Sequence, residues 1–138
     1  MIGEKYMKIV RAACVALLLA VIPALAHHAF MAEFDANKPV KLSGTVTKLE
    51  WTNPHAWLYI DVKDETGKVT NWGFEMGSPN VLTRQGWRRT ALKEGDQVEI
   101  QGYAAKDGSN IANARNVTLP DGRKVFAGSP ETDGGPAK

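Results

Sequence analysis

Cysteine is almost absent from the sequence: of 138 residues, Cys14 alone carries a thiol. A single thiol excludes an internal disulfide and a thiolate-based metal site, so the fold is expected to depend on its hydrophobic core alone. Cys14 is also a poor lipid-attachment site, because Arg11 precedes it and most of the surrounding apolar run follows it.

Long apolar runs are also scarce. The one clear run, at residues 12–25, is shorter than the about 20 residues that a membrane-spanning helix needs. Basic residues precede it, and Ala24-Leu25-Ala26 supplies the small-x-small pattern that signal peptidase cleaves. We therefore expect residues 1–26 to be a cleaved signal peptide, and the mature protein to be periplasmic without membrane contact. The alternative, an N-terminal membrane anchor, is disfavoured because no apolar residues continue the run past Ala26.

Charge of one sign is not in excess once the expected signal peptide is set aside. Residues 1–26 hold three of the 17 Lys and Arg and one of the 15 Asp and Glu, so residues 27–138 hold 14 of each. A net charge near zero argues against a nucleic-acid-binding protein, which usually presents a basic surface. The mature chain is long enough for one domain with a small core.

The sequence does contain period-two alternation, which is the pattern of a half-buried strand. From Val40 to Val46, apolar or small residues alternate with polar ones. The phase then shifts near Lys48, which indicates a β-bulge. The segments that predict the next four strands are residues 56–64, 69–76, 92–104 and 111–119. Asp121-Gly122 suits the turn of a small hairpin after the last of them.

A short helix interrupts this series between the third and fourth strands. Residues 78–87 begin with Ser78, which suits an N-cap, and Gly86 suits a helix end. The expected fold is therefore all-β: a five-stranded OB-like barrel with one short helix between strands three and four. An open sandwich is the alternative, and the bulge and the helix position favour the barrel. The domain layout that we expect is a lead-in at 27–39, the barrel at 40–128 and a disordered polar tail at 129–138.

Several segments of the mature chain resemble a family of small exported bacterial proteins that is catalogued as a domain of unknown function. The resemblance extends from His27 to about Ser129, and "WTNPHAW" is its most specific part. The other segments are "LSGTVTKLE", "GSPN", "RQGW", "LKEGDQVEIQGYAAKDGSN" and "VTLPDGRKVFAG". The resemblance implies a periplasmic location and an OB-like barrel. It implies no established activity, because one fold serves many functions.

The sequence contains only three histidines, and two of them directly follow the expected cleavage site. After cleavage at Ala26, the α-amine and imidazole of His27 can chelate one metal ion, with His55 as the third ligand. Copper is the candidate cofactor, because imidazole suits Cu(II). His28 is an alternative ligand through its position-two imidazole. The competing interpretation is an ordinary polar terminus, with His55 capping a backbone group before the second strand.

An aromatic face is the second candidate site. Alternation places Trp57 and Tyr59 on the outward side of the second strand. The full set of candidate ligand-binding residues is Trp51, Trp57, Tyr59, Asn71 and Glu75. Aromatic rings beside an amide and a carboxylate can stack a sugar, a peptide or a flat small molecule. In the competing interpretation, the lead-in with Phe30 and Phe34 folds over these rings and buries them.

Catalytic motifs are not recognisable in the sequence: no serine stands in a G-x-S-x-G setting, and residues 27–138 contain no cysteine. We therefore expect a non-catalytic periplasmic OB-fold binding module for a small ligand or protein partner, which binds through the face around Trp57 and Tyr59. The alternative is a copper-binding protein that uses His27 with His55. A redox enzyme built on that copper site ranks third, because nothing in the sequence indicates a substrate pocket beside it.

Overall fold

The computed structural model describes Gly3, Phe30 and residues 32–129. Most of these residues lie in β-strands, in agreement with the expected all-β class. The elements in chain order are β1 (Phe34–Glu50), β2 (Trp57–Lys63), β3 (Val69–Glu75), α1 (Pro79–Arg84), β4 (Gln97–Ala105), β5 (Ile111–Thr118) and β6 (Lys124–Phe126). Among the described residues, no helix is both long and apolar enough to cross a membrane.

The strands form one sheet whose hydrogen bonding closes into a ring. The order is β3-β2-β1-β4-β5-β6, and β3 also pairs with β5. The β3–β5 pairing is parallel, whereas the other pairings are antiparallel. Strands β1 to β4 therefore each pair with two neighbours, and β5 pairs with three: β3, β4 and the short β6.

Strand β1 is longer than the alternation predicted. It begins at Phe34, within the expected lead-in at 27–39, because Phe34 pairs with Ala105 of β4 and is buried. The intervening residues 35–39 contain no large apolar side chain, so no alternation marks this part of the strand. Farther along, the register between β1 and β2 shifts between Val46 and Lys48, where the sequence indicated a bulge.

The sheet has six strands rather than the five expected, because a short sixth strand follows the turn at residues 119–123, where Asp121-Gly122 indicated a small hairpin. Gly122 has a φ of 87° there, and the Asp121 carboxylate accepts a hydrogen bond from the Arg123 amide at 3.0 Å. The turn returns only three residues to β5. The turn residues therefore indicate the hairpin, while three residues carry too little alternation to mark the strand itself.

Helix α1 has the ends that the sequence indicated. The Ser78 hydroxyl accepts a hydrogen bond from the Val81 amide at 3.4 Å, Pro79 occupies the first turn, and Gly86 follows with a φ of 96°. Leu82 points into the core. Beyond the helix, the Trp87 indole donates a hydrogen bond of 2.8 Å to the Phe126 carbonyl, which ties the helix end to β6.

The main core lies inside the ring. Its largest fully buried side chains are Trp87, Phe74, Leu58, Ile60, Met76, Leu82, Ile100, Val46 and Val117. Gly44 marks a close approach of β1 to β2, because a Cβ atom there would stand 2.4 Å from the Asp61 carbonyl oxygen. Leu58 and Phe74 face this core, so their neighbours along each strand face outward.

Candidate functional site

One row of outward-facing residues crosses all five strands of the ring. The register pairs Glu50 with Trp57, Trp57 with Glu75, Glu75 with Asn113, and Asn113 with Tyr103. Paired residues share a face of the sheet, and neighbouring strands lie about 4.8 Å apart. We call these five residues the transverse row. The row contains two aromatic rings, two carboxylates and one amide.

Trp57 and Tyr59 form a preassembled aromatic pair on β2. Their ring centroids are 6.2 Å apart and the planes differ by 19°, so the rings are stacked. Both residues are half-buried. Gly73 lies beneath them on β3, where a Cβ atom would stand 3.1 Å from the Tyr59 ring and 3.8 Å from the Trp57 ring. The absence of a side chain at Gly73 therefore lets the rings lie against the sheet.

At the Glu50 end of the row, a lysine ammonium offsets the negative charge of the Glu50 carboxylate. The Lys48 ammonium contacts one oxygen of the Glu50 carboxylate, and the Tyr59 hydroxyl donates to the other oxygen at 3.5 Å. The hydrogen bond to Glu50 raises the pKa of Lys48. Burial raises the pKa of Tyr59, and the Glu50 carboxylate raises it further. Glu50 thus serves to hold Lys48 and Tyr59 in place.

Glu75 is the carboxylate at the centre of the row, and it contacts His55. The Nδ1 atom of His55 meets Oε1 of Glu75, whose side chain is only 12% exposed. The ladder between β2 and β3 continues past the strand ends through the Met76 amide and the Ala56 carbonyl, 2.9 Å apart. This extension positions His55 beside Glu75, next to Trp57.

Asn113 follows Glu75 in the row and is buried, with 3% of its surface exposed. Its Oδ1 atom has no hydrogen-bond partner within the described part of the chain. Leaving a buried acceptor unpaired costs about 1–3 kcal/mol. This oxygen lies beside a carboxylate, because Asn113 is the strand partner of Glu75. Packing alone does not explain the arrangement.

Phe30 and Phe34 form a second apolar cluster on the outer face. Each is 3% exposed, and their ring centroids are 5.6 Å apart. Phe30 also meets Tyr103 edge-on at 6.2 Å. Among the described residues, the partly buried side chains packed against this cluster are Tyr103 and Ile111. The phenylalanines thus cover β4 and β5, while Trp57 and Tyr59 on β2 remain half-exposed.

A cleft lies between this cluster and Trp57, with a volume of about 550 Å³. Its apolar wall is formed by Phe34, Trp57 and Ile111, and its polar rim by Glu33 and the β4–β5 loop at 106–109. In that loop, Asp107 accepts a 2.6 Å hydrogen bond from the Ser109 hydroxyl, which lowers the pKa of the Asp107 carboxyl. The cleft is large enough for a small organic molecule.

The structure brings together some of the residues that the sequence singled out and separates others. Four of these residues lie side by side: Trp57, Tyr59, Glu75 and His55. Trp51 instead packs against the main core and is partly buried. Asn71 is four residues from Glu75 along β3, about 13 Å away, and its side-chain amide donates to the Asp61 carboxylate at 2.8 Å.

Two histidines of the expected metal site, His27 and His28, lie outside the described residues. His55 is described, and within residues 32–129 no group of three or more His, Cys, Asp or Glu side chains is arranged to hold a metal ion.

Sequence reasoning missed Asn113 and Tyr103. Alternation could have found Asn113, because Ala112 and Ala114 flank it and face the core. What alternation could not show is that Ile111 on the outward face of β5 packs against the cluster that contains Phe30 and Phe34.

The fold and the site together define a small all-β domain with a cleft beside an outward aromatic pair. The chain belongs to the family of unknown function DUF6152, whose model matches residues 15–114. Membership of an uncharacterised domain family agrees with the resemblance found in the sequence. No curated protein matches the chain. The structure of the TiaS–tRNA(Ile2)–ATP complex is similar over 59% of this chain and 18% of that chain, with 25% identity and a TM-score of 0.41. This similarity is too low to indicate a function.

Proposed function

We propose that the protein is a non-catalytic periplasmic binding module, built on an OB-like barrel, that takes up a small ligand in the cleft beside Trp57. The ring of five strands, the helix between β3 and β4, and the parallel β3–β5 pairing support the barrel. OB-folds bind ligands on the β2–β3 face between the loop after β1 and the loop after β4. In this chain those loops are residues 51–56 and 106–110.

The observation that carries the proposal is the position of Trp57. Its indole lines the cleft and is stacked on Tyr59, so the aromatic surface is in place before a ligand arrives. A preorganised ring avoids the entropy cost of ordering a side chain on binding. Phe34 and Ile111 provide the opposite apolar wall, so a flat molecule can be held between two surfaces.

The test is binding by the mature chain, residues 27–138, to a panel of small aromatic and cyclic compounds. Tryptophan fluorescence and thermal denaturation are the two readouts. A ligand of the cleft should bind at least tenfold more weakly to Trp57→Ala. Trp51→Phe is the matched control, because Trp51 packs against the core, and it should bind the ligand normally. Equal affinity of wild type and Trp57→Ala for every compound that binds would reject the cleft as the site.

A copper site is the second candidate function, and the contact between His55 and Glu75 favours it. A carboxylate on Nδ1 fixes the imidazole tautomer and orients Nε2 as the metal ligand, which is the usual arrangement around protein-bound metals. We propose that His27, released as the amino terminus by cleavage after Ala26, joins His55 on Cu(II), with His28 as the alternative ligand.

The position of Phe30 is consistent with a chain long enough to bring His27 to His55. Phe30 is held against Tyr103, and Tyr103 is two strand spacings, about 10 Å, from Glu75 in the transverse row. The three residues from His27 to Phe30 span up to about 11 Å when extended. Chain length therefore permits an amino-terminal histidine to meet His55.

Isothermal titration of Cu(II) into protein that starts at His27 tests the copper site. The control is the same chain with one additional N-terminal residue, which moves the α-amine away from the His27 imidazole. We expect the extended chain and His55→Ala each to lose at least tenfold in affinity, and the paramagnetic resonance spectrum to show nitrogen ligands only in the authentic chain. Equal binding by the authentic and extended chains would eliminate the site.

A further inference from the structure

A β-bulge in β5 turns two successive polar side chains to the outer face of the sheet. Ala114 is buried in the core, and the next buried residue of the strand is Val117, three positions later. The register between β4 and β5 shifts at the same place, and Arg115 is the extra residue of the bulge. Arg115 and Asn116 therefore both point away from the core, where strict alternation would allow only one of them.

Both side chains line a second cleft, which lies on the outer face of β1, β4 and β5 and has a volume of about 500 Å³. We call it the basic cleft. The polar residues of its lining are Lys41, Gln101, Tyr103, Arg115 and Asn116. Strand pairing places Gln101 between Lys41 and Asn116, so these three form a row across the strands. The lining shares no residue with the cleft beside Trp57.

The charged side chains that line the basic cleft are both cations at neutral pH, Lys41 on β1 and Arg115 on β5. They flank the Gln101 strand, and each neighbouring strand is about 4.8 Å away, so the two long side chains can meet one ligand above Gln101. The amides of Gln101 and Asn116 and the hydroxyl of Tyr103 can donate further hydrogen bonds. Two cations with neutral donors between them favour an anion.

Arg115 is held in place on the side of the guanidinium away from β4. Its Cζ atom lies 5.2 Å from the centre of the Phe126 ring, which is a cation–π contact. Its carbonyl accepts a 2.8 Å hydrogen bond from the Ala127 amide, which fixes the backbone of the bulge. A side chain ordered in advance loses less entropy on binding. The planar guanidinium also matches the two oxygens of a carboxylate or phosphate group.

Lys41 has a competing contact that an anion can replace. Its ammonium lies 3.3 Å from the Glu99 carboxylate, and the Lys41 side chain is 62% exposed. Glu99 is not among the residues that line the basic cleft. Exposed ion pairs of this kind contribute little to stability, because water screens them. Glu99 therefore competes for Lys41 but does not fill the cleft.

We propose that the basic cleft binds the oxyanion group, a carboxylate or a phosphate, of a small organic molecule. The oxyanion lies above Gln101 and contacts Lys41 and Arg115, and the body of the molecule lies against Pro39 and the Tyr103 ring. This site is separate from the cleft beside Trp57 and does not depend on the function proposed for that cleft.

Three probes that share one ring and differ in charge test the proposal: phenyl phosphate, benzoate and benzylamine. Each is titrated into the isotopically labelled mature chain near neutral pH, and the side-chain amide resonances of Gln101 and Asn116 report binding. Both resonances should shift saturably with the anions, and benzylamine should bind about tenfold more weakly or not at all. Binding of either anion supports the site, and the tighter one identifies the oxyanion. No saturable shift with either anion, or equal binding of benzylamine, overturns the proposal.

Two variants remove the assigned cations. Arg115→Gln should weaken binding of the tighter anion by about tenfold, the usual effect of losing a charge-assisted hydrogen bond. Lys41→Gln should weaken it several-fold, and its exposed position leaves the fold intact. Arg89→Gln is the matched control, because it removes the same charge from an exposed residue outside the cleft. An equal loss in Arg89→Gln and in the two cleft variants would mean that only overall charge matters and would overturn the site.

Glu99→Gln should act in the opposite direction, because it releases Lys41 from its competing carboxylate. We expect the anion to bind about two- to fivefold more tightly, as the modest strength of an exposed ion pair allows. Damage to the fold would not tighten binding, so this variant separates the contact from folding. Glu65→Gln, at an exposed residue of the β2–β3 turn, is the control and should leave the affinity within about twofold. Equal tightening in both variants, or none in Glu99→Gln, would overturn the role of Lys41.

Discussion

His55 and Glu75 meet just beyond the ends of β2 and β3, with Nδ1 of the imidazole on Oε1 of a carboxylate that is 12% exposed. Removing His55 leaves a mostly buried carboxylate with one partner fewer. We expect His55→Ala to lower the free energy of unfolding by about 1–3 kcal/mol.

A double-mutant cycle with Glu75→Gln measures the coupling directly. Because the His55 side chain is 36% exposed and solvent screens the pair, the coupling energy should be about 1 kcal/mol. The exposed Lys41–Glu99 pair is the matched comparison and should couple less strongly. A zero coupling between His55 and Glu75 in urea denaturation would contradict the contact.

Tyr59 should make the protein less stable in alkali. Burial and the Glu50 carboxylate raise the pKa of the Tyr59 phenol above its ordinary value of 10.0. The folded protein therefore holds this proton more tightly than the unfolded chain, so stability falls as pH rises above about 10. The raised pKa of Lys48 acts in the same direction, because its contact with Glu50 is lost when the ammonium deprotonates.

Urea denaturation between about pH 8 and about pH 11 checks this dependence. Tyr59→Phe should flatten the decline in stability, and Glu50→Gln should flatten it partly. Tyr103→Phe controls for the loss of a phenol elsewhere in the chain. A decline as steep in Tyr59→Phe as in wild type would show that other groups are responsible.

Gly44 is expected to tolerate no side chain. A Cβ atom at this position would stand 2.4 Å from the Asp61 carbonyl oxygen, which is backbone and cannot turn aside. Gly44→Ala should therefore cost about 3 kcal/mol or more, because β1 must move away from β2. Gly95→Ala is the comparison: its φ is 91° but the space around it is open, so the cost should be about 1 kcal/mol. Equal midpoints for the two variants in chemical denaturation would refute this close approach.

Phe30 should contribute to stability although it precedes the first strand. Its ring is 3% exposed and packs on Phe34 and Tyr103. Phe30→Ala should cost about 3 kcal/mol, the usual loss for a buried phenylalanine. Val69→Ala, at a residue that is 54% exposed, should change stability by less than about 0.5 kcal/mol. Thermal denaturation of both variants distinguishes a packed Phe30 from a loosely attached one.

The interior of the ring could be predicted from the sequence, because alternation depends on the neighbours along one strand. Leu58, Ile60 and Phe74 are core residues for this reason, and the phase shift near Lys48 correctly marked the bulge. The start of β1 could not be predicted. Phe34 belongs to that strand through its pairing with Ala105, far away in sequence, and the polar residues after it hide the pattern.

The candidate site likewise contains some residues that alternation predicts and others that it does not. Alternation alone placed Trp57, Tyr59 and Glu75 outward. The row that unites Trp57 and Glu75 with Asn113 depends on the parallel pairing of β3 with β5, which no local pattern reports. The packing of Phe30 on Tyr103 of β4 likewise joins residues more than seventy positions apart in the chain.

The parallel pairing of β3 with β5 is the narrowest seam of the ring, because it joins only Gly73–Ile111, Phe74–Ala112 and Glu75–Asn113. Ile111 on one side of this seam lines the cleft, and Trp57, which also lines it, lies on β2 next to β3 on the other side. A bound molecule would therefore resist the separation of β3 from β5, and the amides of residues 73–75 and 111–113 should show the largest slowing of hydrogen–deuterium exchange. We therefore expect occupancy of the cleft and closure of the ring to stabilise each other.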